Sequence, residues 1–374
     1  MKGIIIWAHD NCRSTLGFYI ELIKLLDVPA KINIVNEVAV SQREKVGFKA
    51  DELKDTRISL LRNDSKLALE DLNSHQDWYH LFASYQKCNI FKLLIDYAIK
   101  YNIQYAIMSE APCNMEAKPW RRILKFIYIN IKLKYSLRKT IRHADFMVNY
   151  SGYYENVLRH IGWDDSKIVP FGYFPPPIPN SALTKRTENN WRNFTILLSG
   201  IHQWHRSPMA LLKALSILKK KGIVPKCYIT QNGPLLDKMK TYAQQHDLST
   251  VEFLGFVSMK RLIELYETCS VYVGAGSNEP WGMRLNDVLQ CGAPLIVSRG
   301  MGGVKMVDDY KCGLAFDKND YNGLAQNLET LIKDKATYLA IAENAYTAAL
   351  STSPANKAFE LKAELDRRFP LLWK

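Results

Sequence analysis

A chain of 374 residues, 47% of them apolar, is long enough for two globular domains, each with its own core. Its net charge of +13 is concentrated: nine Lys or Arg and no acid lie between Lys118 and Arg142, which leaves +4 for the rest. Seven cysteines (Cys12, Cys88, Cys113, Cys227, Cys269, Cys291, Cys312), odd in number and without a C-x-x-C pair, speak against a disulfide framework or zinc site and suit apolar fillers in a reducing cytoplasm.

The opening run Gly3–Trp7 is too short for a signal-peptide core or a membrane span and reads as a first strand. A helix is expected from Ser14 to Leu26, with Ser14 as its cap and an apolar stripe at Leu16, Tyr19, Ile20, Ile23 and Leu26. Further strands are expected at Ile32–Asn36, Ile58–Leu61, Tyr79–Ala83, Tyr105–Ser109, Phe146–Tyr150 and Ile168–Phe171. Between the runs Tyr105–Ser109 and Phe146–Tyr150 lies the basic segment, Lys118, Arg121, Arg122, Lys125, Lys132, Lys134, Arg138, Lys139 and Arg142, interleaved with Trp120, Phe126, Tyr128, Tyr135 and several Ile and Leu. Such a helix suits an anionic membrane surface, where cations meet lipid phosphates and rings settle among headgroups. A core helix with a solvated basic side is the rival reading, and no recognition motif accompanies the charge to suggest nucleic acid.

Phe174-Pro175-Pro176-Pro177-Ile178-Pro179 interrupts this pattern, because consecutive prolines form a stiff extended connector. The expected domains are therefore 1–173, a linker over 174–193, a second unit over 194–350 and a C-terminal helix over 351–374 that crosses back to the first. The second unit restarts with strands Phe194–Ser199, Cys227–Thr230, Val251–Leu254, Val271–Val273, Leu295–Val297 and Leu314–Phe316. Ser207 as cap, Pro208 at the first helical position and Gly222 past the end punctuate its first helix. Apolar runs alternating with helical patterns predict two doubly wound α/β units.

Ser277-Asn278-Glu279-Pro280-Trp281-Gly282-Met283-Arg284-Leu285-Asn286-Asp287 carries the chemistry. It spans a strand-to-helix turn, with Glu279 in the loop and Asp287 about a turn into the helix. Gly282 permits a ligand's close approach, and the helix's free N–H groups are expected to attract an anion or a hydroxyl. Paired carboxylates accept hydrogen bonds from the vicinal hydroxyls of a sugar or ribose. An ordinary loop and helix of an α/β domain would also fit.

The stretch resembles the E-x7-E signature of retaining glycosyltransferases of family 4 (glycosyltransferase group 1), with Asp287 in place of the second Glu. The likeness extends to His143-Ala144-Asp145-Phe146-Met147-Val148-Asn149-Tyr150-Ser151, Ile168-Val169-Pro170-Phe171-Gly172, Asn232-Gly233-Pro234, Leu254-Gly255-Phe256, Cys291-Gly292-Ala293-Pro294 and Gly302-Gly303, in the family's order. It implies the GT-B architecture, two Rossmann-like domains facing a central cleft. It also implies metal-independent transfer, which the lack of a D-x-D motif matches.

By this resemblance Glu279 binds the donor sugar, Asp287 the ribose, and the backbone of Trp281, Gly282 and Met283 lines the sugar pocket, with Gly233 nearby. The family's diphosphate pair, an Arg and a Lys in G-R-L-x-x-x-K-G, falls here on Gly200-Ile201-His202-Gln203-Trp204-His205-Arg206-Ser207. Arg206 takes the Lys position, but the Arg position is Ile201, so His202 or His205 is the candidate replacement. Arg284 and Asn286 fit either a pocket or an exposed helix side. In the N-terminal half the family's glycine-rich loop is absent; His9, Asp10 and Arg13 stand there as candidate acceptor contacts. Glu110, at a strand end, is the candidate catalytic carboxylate in preference to His80 within a strand.

The resulting expectation is a cytoplasmic enzyme at the inner face of the membrane, moving a hexosyl or N-acetylhexosaminyl group with retention from a UDP-sugar to a hydroxyl of a lipid-linked or lipopolysaccharide-type glycan. Neither cofactor nor metal is expected, and the leaving diphosphate helps deprotonate the attacking hydroxyl. A nucleotide-sugar epimerase, or a non-catalytic sugar-nucleotide-binding protein at the membrane, remain alternatives. A dinucleotide oxidoreductase is disfavoured because neither unit's first strand is followed by G-x-G-x-x-G.

Overall fold

The computed structural model describes residues 2–10, 12–36, 55–85, 89–116, 118–370 and 372. Asn11 and Cys88, which precede the first helix and sit in the cysteine inventory, lie outside these. The chain divides into two compact units: Met1–Pro112, Phe126–Pro176 and Ser353–Lys374 form the first, Cys113–Lys125 and Pro177–Thr352 the second. The division thus falls inside the proline run, between Pro176 and Pro177, and the short piece Cys113–Lys125 counts with the second unit instead of the first. Trp204 explains part of this: its Nε1 donates to the Met115 carbonyl at 2.9 Å, and the Arg122 guanidinium lies 3.7 Å from its ring centre.

The first unit holds a seven-stranded sheet in the order β3-β2-β1-β4-β5-β6-β7. Its strands are β1 (Ile4–Asp10), β2 (Ala30–Asn36), β3 (Ile58–Leu60), β4 (Tyr79–Phe82), β5 (Tyr105–Ser109), β6 (Met147–Asn149) and β7 (Ile168–Pro170). Parallel strands covered on both faces read as continuous apolar runs, and Ile4–Ala8 are all fully buried. β1 runs three residues beyond the expected end because Ala8 and Asp10 still pair with Ile34 and Asn36 of β2. The C-terminal helix Pro354–Arg368 packs against helix Arg13–Lys24 within this unit, and Phe369 beyond it stacks on Phe146 at 4.7 Å.

The second unit holds a six-stranded sheet in the order β10-β9-β8-β11-β12-β13. These are β8 (Thr195–Ser199), β9 (Lys226–Thr230), β10 (Val251–Gly255), β11 (Val271–Gly274), β12 (Leu295–Ser298) and β13 (Gly313–Phe316). Every pairing in both sheets is parallel. On one face Ile196, Leu198, Ile229, Val271, Val273 and Ile296 pack against Leu211, Leu215, Leu324 and Leu328 of the covering helices. Inside the stretch expected as the linker, the buried Arg186 donates to the carbonyls of Cys269 and Thr184 at 2.7 Å and of Cys291 at 3.1 Å. It thereby ties residues 184–186 to the ends of helices Met259–Thr268 and Arg284–Gln290, where cations are favoured.

Two expected caps are not caps. Helix Arg13–Lys24 begins one residue before Ser14, with Cys12 at its N-cap; the Asp10 carboxylate accepts the Cys12 N–H at 2.8 Å. Ser207 adopts a left-handed φ of 44°, ends the short turn Trp204–Arg206 and donates its hydroxyl to the Trp204 carbonyl, while Pro208 is the N-cap of helix Met209–Lys220. The described cysteines are free thiols; Cys227, Cys269, Cys291 and Cys312 are buried.

The basic segment is helical throughout but has two characters. Helix Pro119–Ile127 buries no side chain. Trp120, Ile123, Leu124 and Ile127, spaced as one helical stripe, are 55%, 62%, 56% and 46% exposed, and Phe126 beside them is 63% exposed. After a π-helical turn, Tyr128–Leu133, helix Lys134–His143 packs Leu137 and Ile141, with Leu133 just before it, into the first unit's core and turns its cations outward. The expected exposed apolar side chains are thus found on helix Pro119–Ile127, while Ile129, Leu133, Leu137 and Ile141 of the later part are buried. Among the described residues no helix is long and apolar enough to cross a membrane.

Candidate functional site

In the second sheet the strand order reverses between β8 and β11, so the loops after these two strands flank one crevice at their carboxyl ends, where open α/β sheets bind ligands. The first loop contains Gly200 to Ser207, the second Ala275 to Met283. Their main chains are laced together: Ser277 N–H donates to the His205 carbonyl at 2.7 Å. Glu279 is held from the other side, its N–H on the Gly300 carbonyl and its carbonyl receiving Gly302 N–H, both at 3.0 Å.

These ties bring Arg206 and Glu279 together. Arg206 Nη2 lies 3.5 Å from Glu279 Oε1, with the two side chains 30% and 16% exposed. Gly276 leaves room for the carboxylate, since a Cβ there would lie 3.2 Å from Glu279 Oε2. Asp287 stands in the first turn of helix Arg284–Gln290, half-buried. The expectation of free helix N–H groups needs correction: Leu285 donates to Gly282, and Asn286 and Asp287 both donate to Met283. A seven-residue helix begun by such a tight turn leaves little for an anion.

Trp281 is 1% exposed; its indole N–H donates to Asn286 Oδ1 at 2.7 Å and its carbonyl accepts Gly303 N–H at 2.9 Å. Its ring is core, and Asn286 is a buried partner of that ring instead of a pocket residue. Gly282 needs its φ of 98°, and a Cβ there would meet Met301 Cε at 2.4 Å. Met283 is half-buried at the helix N-cap. Gly233 packs on the main chain of His202, where a Cβ would come within 2.5 Å of the His202 nitrogen.

His202 and His205 are both buried, which holds each imidazole below its ordinary range and hence neutral at neutral pH. His202 bonds the Gln231 main chain, which opposes that shift, while the positive charges of Arg206 and Arg284 reinforce it. His202 Nε2 and Arg206 Nε are buried without hydrogen-bond partners. Ile201, in the family's arginine position, is 42% exposed. Arg284 is the residue the sequence left open. It is half-buried, and its Nε donates to Ser199 Oγ at 3.2 Å.

The first unit's candidates lie at the carboxyl ends of β1 and β5. His9 is held by Asp10 Oδ2 at 3.2 Å and Asn36 Nδ2 at 3.1 Å, and its ring stacks on Phe91. Arg13 donates to the Pro176 carbonyl, a tie within this unit. Glu110 accepts a side-chain hydrogen bond from Tyr173, whose phenol is pushed well above its usual range by burial and then by that carboxylate. His80 is fully buried, accepts Trp7 Nε1–H at 2.9 Å and is held at a pKa of about 4 by burial; it belongs to the core.

Residues 183–348 match the family model described as glycosyl transferases group 1. An uncharacterized glycosyltransferase of Methanocaldococcus jannaschii is 29% identical over 115 residues, 30% of this chain and 32% of that protein. The N,N'-diacetylbacillosaminyl-diphospho-undecaprenol alpha-1,3-N-acetylgalactosaminyltransferase of Campylobacter jejuni is 23% identical over 232 residues, 58% of each chain. The matched stretches thus span less than two thirds of these relatives. The structure of the Anabaena protein HepE in complex with UDP superimposes with a TM-score of 0.65 over 98% of this chain and 100% of that one, at 13% identity. That likeness shows a shared fold, the α/β GT-B class of two doubly wound parallel sheets.

Proposed function

We propose, from the match of residues 183–348 to the group 1 glycosyl transferase model, that the protein moves a sugar from a nucleotide-sugar donor to a hydroxyl of a lipid-linked or lipopolysaccharide-type glycan. The observation that carries this reading is the Arg206–Glu279 pair at the β8/β11 reversal, with Asp287 a turn further along. A carboxylate that accepts sugar hydroxyls and a cation that meets the departing diphosphate have to lie side by side, because the bond that breaks joins those two groups.

In this proposal Glu279 accepts hydrogen bonds from the donor sugar, Asp287 from the ribose, and Arg206 binds the diphosphate. The anomeric carbon–oxygen bond breaks with its electron pair going to the diphosphate. The acceptor oxygen bonds the same face of that carbon, and its proton passes to the departing phosphate oxygen. Configuration is retained and no protein base is required, which accords with Glu110 being engaged by Tyr173. UDP is the proposed nucleotide, a choice supported by the UDP complex of the HepE relative by fold. The transferred group is proposed to be a hexosyl or N-acetylhexosaminyl unit, and transfer to be independent of metal.

The acceptor assignment is supported by the undecaprenol-linked substrate in the Campylobacter relative's name and by helix Pro119–Ile127, whose apolar stripe is bare and flanked by cations. We place that helix on an anionic membrane surface.

A screen of UDP-, GDP- and ADP-sugars against the purified chain, read as donor hydrolysis and thermal stabilisation, tests the reading. At least one should be turned over slowly without acceptor and raise the melting temperature. A chain indifferent to all of them is not a glycosyltransferase.

A further inference from the structure

The geometry points to Arg284 as the second diphosphate-binding cation of this site, in place of the arginine that Ile201 lacks; the inference rests on the nucleotide-sugar reading above. Gly200 directly follows β8 and adopts a φ of 135°. A Cβ built on it would lie 3.1 Å from Arg206 Nη1 and 3.7 Å from Arg284 Nη1, so two guanidiniums from separate loops converge over one bare piece of main chain. Like charges this close repel; the carboxylates of Glu279 and Asp287 offset part of that repulsion on Arg284, and a bound anion facing both guanidiniums offsets more of it. Glu279 engages Arg206 from one side.

Arg284 is held for this purpose. Ser199 Oγ accepts its Nε at 3.2 Å, the Tyr272 hydroxyl fixes the Ser199 carbonyl at 2.9 Å, and Nη1 of the guanidinium lies toward Gly200. The neighbouring His202 imidazole senses both guanidiniums, and its Nε2 is buried without a partner. A planar fork beside a glycine suits the doubly charged terminus of a nucleoside diphosphate, whose oxygens take parallel N–H donors. Ile201, by contrast, is exposed and offers no donor.

Calorimetric titration of the full chain with UDP, GDP and ADP, and with the parent nucleosides, tests the assignment. Arg284→Gln should weaken the preferred diphosphate roughly ten- to hundredfold while leaving the nucleoside unchanged. Arg284→Lys, which keeps the charge without the fork, should fall between. Ile201→Arg placed in the Arg284→Gln background, at an exposed site that perturbs no packing, should restore most of the lost affinity. Diphosphate affinity unchanged in Arg284→Gln, or nucleoside and diphosphate weakened alike with no rescue by Ile201→Arg, would assign Arg284 to the scaffold. If the wild-type chain binds no diphosphate at all, the nucleotide-sugar reading falls and this inference with it.

Discussion

Arg206 Nη2 and Glu279 Oε1 lie 3.5 Å apart, although one follows β8 and the other follows β11. Main-chain bonds from Ser277 to His205 and from Glu279 to Gly300 hold both loops, so the pair is set by the scaffold and not by two flexible surface chains meeting. Glu279→Ala should therefore reduce transfer by about a hundredfold or more with little change in melting temperature, because the main-chain bonds that hold the loop stay in place and the Arg206 pair is partly exposed. Turnover at the wild-type rate would remove Glu279 from the site.

Activity should survive EDTA. The two guanidiniums at Gly200 supply positive charge where diphosphate charge develops, and no group of three or more His, Cys, Asp or Glu among the described residues could hold a metal. Loss of transfer on chelation, restored by magnesium or manganese, would overturn the assignment.

Membrane binding should reside in helix Pro119–Ile127. Trp120→Ser with Phe126→Ser removes exposed apolar surface and touches no core, so folding should be unchanged while binding to anionic vesicles falls. Arg121→Glu with Lys125→Glu should act in the same direction, each cation near the surface contributing roughly 1 kcal/mol. Binding that is indifferent to these changes and to salt would make the helix an ordinary surface element.

Acid stability should depend on His80. Its pKa is about 4 in the folded chain, held down by burial, against an ordinary value of 6.5. The depressed value means that the folded state excludes the proton. The contribution is fully present above about pH 6.5 and is lost as pH falls toward 4, on the order of 3 kcal/mol across that window. Urea denaturation of His80→Gln should show a flatter dependence over the same range; an unchanged slope would put the acid sensitivity elsewhere.

Arg186→Met should destabilise the second unit by about 3 kcal/mol, since it strands buried carbonyls of Thr184, Cys269 and Cys291. Thermal unfolding reads this directly, and a loss under about 1 kcal/mol would mean water replaces the guanidinium.

Both sheets were legible in the sequence because parallel strands buried on two faces must be apolar throughout, as Ile4–Trp7 and Leu295–Val297 are. The placement of Glu279 in the loop and Asp287 in the helix was legible because one strand-loop-helix segment carries both. Helix starts were less so: Ser14 and Ser207 carry a cap's chemistry, but the turn before each helix had already placed its first residue elsewhere. The stretch from Lys118 to Arg142 looked uniform because charge spacing does not reveal which side of a helix meets a core; packing buried Leu133, Leu137 and Ile141 and left Trp120 to Ile127 bare. The convergence of Arg206 and Arg284 at Gly200 was beyond any local pattern. It exists because β8 and β11 are neighbours, and strand order is decided by how the whole sheet buries its faces.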